Sequence, residues 1–128
     1  MSTPGTSMAE RYERARGLFE HGEYQAAAEA LRALVDESAL EPPLHGTTEL
    51  RLLLARSYFH SAQLQRAERV TRAILADHPD EAYANLVLGR TLQRMGRHAE
   101  ATPHLAMAEL LGGYAGSGRL PRDDDGSG

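Results

Sequence analysis

Three stretches of this chain align with one another when their glycine turns are placed in register, at offsets of 40 and then 34 residues. The copies run at about 8–41, 48–81 and 82–114. Small residues stack at Ala15, Ala55 and Gly89, and again at Ala27, Ala67 and Ala101. Large apolar residues stack at Leu18, Tyr58 and Leu92, and a further column holds Leu34, Ile74 and Ala108. The turn column is Gly22, Ala62 and Gly96. This period constrains the fold more than any other feature. Each copy reads as two amphipathic helices around a tight break, clearest in 82–113, where Met95, Gly96 and Arg97 form the break. A single helix pair cannot bury its own apolar face, so about three must stack to share a core. Small residues in both helices let the axes approach, and large ones fill the grooves between ridges. The expected fold class is therefore all-α, three helix hairpins with six helices in all.

Local signals place the elements. Ser7 caps the first helix, Met8 to His21, with Glu10 as its capping-box partner, and Gly22 stops it. The second runs from Tyr24 to about Asp36. Pro42, Pro43 and Gly46 mark a loop, which absorbs the six extra residues between the first two copies at little entropic cost. Thr47 or Thr48 caps the third helix, to about Ser61, and the fourth runs from the break at Ala62 and Gln63 to about Asp77. Asp80 caps the fifth, to about Met95, and the sixth runs from about His98 to Leu111, stopped by Gly112 and Gly113. Pro103 fits if that helix begins near Ala99 or Glu100, since proline is tolerated in a first turn. One domain, 8–114, lies between a disordered lead, 1–7, and a flexible acidic tail, 115–128, too poor in apolar residues to offset the entropy of ordering.

Composition narrows the chemistry. The hydrophobic fraction of 41% suits one folded core, and an aromatic fraction of 5% leaves that core to Leu, Ala and Val. The absence of cysteine excludes disulfides and thiolate chemistry. All 14 basic residues are arginine, so lysine Schiff-base chemistry is excluded as well. A net charge of −4 argues against a nucleic-acid partner. No apolar run approaches the roughly 20 residues of a membrane span, and the N-terminus lacks a signal-peptide core. A cytoplasmic location is expected, with no membrane.

The residues Leu88, Gly89, Leu92, Gly96, Ala101, Leu105 and Ala108, with Leu54, Ala55, Tyr58, Ala67, Ile74 and Pro79 in the second copy, resemble the tetratricopeptide-repeat family, of the small bacterial stand-alone type. Arg11 and Arg14 depart from it, standing where the family usually carries large apolar residues. The resemblance implies a right-handed α-α superhelix and a non-enzymatic protein–protein interaction module, an adaptor or scaffold. It also implies that the first helix of each hairpin lines a ligand-binding groove. The groove columns are then Arg16, Arg56 and Arg90; Phe19, Phe59 and Gln93; Glu20, His60 and Arg94; and Tyr12, Leu52 and Leu86. They make an arginine ladder with an apolar floor and polar edges. Helix layers about 10 Å apart would set one arginine against roughly every third residue of an extended strand. Guanidinium forks pair with carboxylates, so an acidic peptide or protein segment fits. Glu13 and Glu20 lie at helical pairing distance from Arg16, whereas Arg90 and Arg94 have no acid at that spacing. The family's chaperone-binding clamp uses lysine and asparagine; this chain has no lysine, and its only asparagine is Asn85.

No cofactor, metal site or catalytic residue is expected. No two of the six histidines have the helical spacing of a metal pair, and no acid completes a triad with Ser57 and His60. The last helix carries Met107, Leu110 and Leu111 where earlier copies are smaller or polar. An end repeat normally turns a polar face outward. That trio is read either as covered by Tyr114 and Leu120 folding back, or as an interface for homodimerisation or a partner. The run Asp123, Asp124, Asp125 reads as a solubilising tail, or more sharply as a segment that visits the arginine groove.

Overall fold

The computed structural model describes residues 7–38 and 47–114. The expected lead (apart from Ser7), the proline-containing loop beyond Ser38 and the tail lie outside them. Six helices follow in order: α1 (Met8–Glu20), α2 (Tyr24–Ser38), α3 (Thr47–His60), α4 (Leu64–Asp77), α5 (Ala82–Arg94) and α6 (His98–Gly112). Each packs against the next, and the first helices of successive hairpins also meet, α1 with α3 and α3 with α5.

The three hairpin turns are built alike. After α1, the Gly22 amide donates to Phe19 and the Glu23 amide to Leu18; after α3, Ala62 donates to Phe59 and Gln63 to Tyr58; after α5, Gly96 donates to Gln93 and Arg97 to Leu92. This is the Schellman arrangement, which needs a left-handed residue at its centre. Gly22 and Gly96 both take φ of 80°, and Ala62 takes 64°.

The repeat columns form the core. Ala15, Ala55, Ala27, Ala67, Leu34, Ile74, Ala101 and Ala108 are each at most 1% exposed. Gly89 shows why that column must stay small: a Cβ there would stand 2.5 Å from Leu105 Cδ2. Leu18, in the first copy, is only half-buried. The buried hydroxyls of Ser57, Thr71 and Thr91 donate to the carbonyls of Leu53, Ala67 and Val87, four residues back. Each is thereby satisfied inside its own helix.

Several boundaries differ from the sequence expectation. Ser7 and Glu10 do form the capping box of α1. Thr47 and Thr48, expected as caps, are both inside α3. Asp80 does not cap α5, because a turn from Glu81 to the His78 carbonyl sets the entry one residue later and leaves Glu81 at the cap. Pro103 is the sixth residue of α6, past the first turn. The carbonyl it leaves without a helical donor is that of Ala99, an exposed residue that water can serve.

Arg11, the sequence's departure in the first copy, has a structural role. Its Nη1 and Nη2 donate to Glu37 Oε1 and Oε2 at 2.7 and 2.8 Å, tying α1 to the end of α2. Arg51 and Asp77 repeat the tie between α3 and α4 at 3.2 Å. In the third copy those two positions are Asn85 and Leu111, so the tie is absent and Leu111 is left 43% exposed. Asn85 Nδ2 instead donates to the carbonyls of Pro79 and Glu81, while His104 Nδ1 lies 3.0 Å from its Oδ1.

Candidate functional site

The face formed by α1, α3 and α5 carries a hollow of about 530 Å³. Tyr12 and Arg16 line it from α1, Glu49, Leu52, Leu53 and Arg56 from α3, Tyr83 from α5, and Tyr114 from the chain just after α6. Gly113, in the left-handed conformation with φ of 75°, turns that chain back. The ring of Tyr114 then lies 5.7 Å from that of Tyr83. Gly112 makes the approach feasible, since a Cβ there would fall 2.7 Å from Ala82 Cβ and 2.8 Å from the Tyr114 ring.

Arg56 occupies the centre. Its guanidinium carbon lies 4.6 Å from the centroid of the Phe19 ring and 5.5 Å from that of Tyr83. One side chain of the second hairpin is thus gripped by rings of the first and third. Stacking engages the faces of a guanidinium, whereas carboxylates are recognised by its in-plane N–H fork. Arg16 is tied within its own helix, to Glu13 at 3.3 Å and Glu20 at 3.6 Å, as its spacing suggested. Burial pushes the Tyr12 phenol above its ordinary pKa, with the Arg16 charge pulling the other way.

The remaining expected groove residues divide. Arg16, Leu52 and Arg56 come together in the hollow. Phe19, Phe59 and His60 gather with Tyr24 in an aromatic cluster, in which His60 stacks on Tyr24 at 4.7 Å and meets Phe19 and Phe59 edge-on. Phe19 and Phe59 are 8% and 9% exposed, floor rather than contact surface. Among the described residues Arg94 has no acid partner, but its Nη1 donates to the Phe59 carbonyl at 3.1 Å and its guanidinium sits 4.9 Å from the Phe59 ring. It acts as a strap between the second and third hairpins. Arg90 donates from Nη1 to Gln93 Oε1 at 3.0 Å.

Glu49, Leu53 and Tyr83 were missing from the expected groove residues, and Tyr114 was expected over the last helix instead. Glu49 and Tyr83 share one repeat column, three residues before Leu52 and Leu86, so extending the columns by one helical turn would have found them. Tyr114 lies at the edge of the repeat pattern, and only the turn at Gly113 brings it in. Met107, Leu110 and Leu111 are exposed at 39%, 78% and 43% on the last helix. Tyr114 packs beside Tyr83, and Leu120 lies outside the described residues. Among the described residues no three His, Asp or Glu side chains cluster to hold a metal, and no helix is long and apolar enough to cross a membrane.

Comparison with curated proteins and with solved structures gave no match. The family model described as tetratricopeptide repeat matches residues 18–90, more than half of the chain. Proteins of this family generally mediate protein–protein interaction and are typically non-enzymatic. With that match and, among the described residues, six helices in three like hairpins, the chain belongs to the tetratricopeptide-repeat family.

Proposed function

We propose that this protein is an adaptor that binds an extended acidic segment of a partner protein along the face of α1, α3 and α5. The observation that carries this is the placement of Arg56: a guanidinium held by two rings beside a hollow walled by Tyr12, Tyr83 and Tyr114. Holding the side chain in advance reduces the entropy lost when a carboxylate binds, and tyrosines give broad contact area with few rotatable bonds. Arg16 and Arg90, at the same position of the neighbouring hairpins, extend the positive line. A fluorescein-labelled tetra-aspartate peptide should bind in anisotropy titrations, and Arg56→Glu with Arg90→Glu should weaken it by about tenfold or more. Circular dichroism would check that the double variant keeps its helices. Undiminished binding by a folded double variant rules this groove out.

A second reading is favoured by one observation, the joint exposure of Met107, Leu110 and Leu111 on the last helix. An apolar patch at the end of a stack suits a second copy of the chain. Light scattering should then give a dimer mass that reverts to monomer in Leu111→Glu; a monomer in the parent chain removes this reading.

A further inference from the structure

The described chain ends in the groove itself. Tyr114, the last described residue, lines the hollow with Arg16 and Arg56 and lies against Tyr83. Fourteen residues follow, and the first of three consecutive aspartates, Asp123, is nine residues beyond Tyr114. Nine residues reach at most about 30 Å. Two helix-layer spacings amount to about 20 Å, so the aspartates can reach any arginine on the face of α1, α3 and α5. The charges match in both signs. The hollow presents Arg16 and Arg56 together with Glu49, and the segment presents Arg119 and Arg122 followed by Asp123, Asp124 and Asp125.

We infer that the occupant of this groove in the unliganded protein is the chain's own segment 119–125, whose aspartates lie against Arg56 and Arg90 and must leave before a partner binds. The inference rests on the groove reading above and adds its regulation. A short tether holds a segment at an effective concentration on the order of 1 mM. Against an intrinsic dissociation constant of about 0.1 mM, that concentration weakens an external acidic ligand about tenfold.

The test uses the full chain and the tetra-aspartate probe at about 20 mM salt, where surface charge is weakly screened. Changing Asp123→Asn, Asp124→Asn and Asp125→Asn together should tighten probe binding about tenfold. Adding Arg56→Gln to both chains should bring their affinities together. A control with Glu29→Gln, Asp80→Asn and Glu109→Gln removes the same charge from other surfaces, and should leave affinity within about twofold of the parent. If parent and asparagine variant bind the probe equally, the groove stands and self-occupancy falls. An equal gain in the control also overturns it, since the effect is then net charge. Binding to none of the chains overturns the groove reading and this inference with it.

Discussion

Ala62 takes a left-handed φ of 64° at the turn where the other two hairpins have glycine. For a residue with a Cβ that conformation costs roughly 1–2 kcal/mol, partly offset by glycine's greater freedom in the unfolded chain. Ala62→Gly should therefore raise stability by about 0.5–1 kcal/mol, seen as a higher urea midpoint with unchanged slope. A lower midpoint would mean the middle turn carries no strain. Gly89 gives the opposite lesson. Helix propensity favours alanine over glycine by about 1 kcal/mol, yet Gly89→Ala should destabilise by about 1–3 kcal/mol, because its Cβ would meet Leu105 at 2.5 Å. A stabilised Gly89→Ala would show that Leu105 rotates away freely. Both residues stood out in the repeat columns, but the sign of each substitution needed a backbone angle and an interatomic distance.

Between elements, charge joins what apolar packing leaves apart. Arg97, at the cap of α6, donates from Nη1 to Glu68 of α4 at 2.8 Å and from Nε and Nη2 to Glu100 at 2.9 and 2.8 Å. Arg72 closes the circuit on Glu68 at 2.9 Å and Glu100 at 3.6 Å. Hydrogen bonds from Arg97 are the main reason both carboxyls are held below their ordinary pKa, with burial opposing. Carboxylates depressed in the folded state stabilise fully above their unfolded pKa of about 4.3 and lose that contribution as pH falls through the lower folded values. The thermal midpoint should fall more steeply between about pH 5 and pH 3 in the parent chain than in Arg97→Gln. Parallel curves would mean that the circuit contributes nothing to folding. The local pairs, Arg97 with Glu100 and Arg72 with Glu68, lie three and four residues apart, spacings at which helical neighbours meet. The link from Arg97 to Glu68, 29 residues apart, comes only from stacking the second hairpin on the third.

On the scale of the molecule, Arg56 is the contact shared by all three hairpins. An arginine serving only as a solvated groove charge could be replaced by lysine at no cost. A guanidinium stacked on Phe19 and Tyr83 could not, because an ammonium cannot lie flat on a ring. Arg56→Lys should lower stability by about 0.5–2 kcal/mol, the range of such contacts, measured by urea unfolding. An unchanged midpoint would return Arg56 to the role of a surface charge.

The repeat period was enough to specify three hairpins, their turns and the small and large columns of the core, because local propensity and burial both obey it. It also determined which residues ride on the first helix of each hairpin, since spacing along a helix fixes its faces. Tertiary structure alone decided what those residues do. Phe19 and Phe59 sank into the floor and His60 into an aromatic cluster, Arg94 became a strap, and Arg56 was gripped between rings. Tyr114 entered the groove through a turn at Gly113. The physical reason is that helical spacing fixes direction within one element, whereas these contacts depend on the distance and angle between elements distant in the chain.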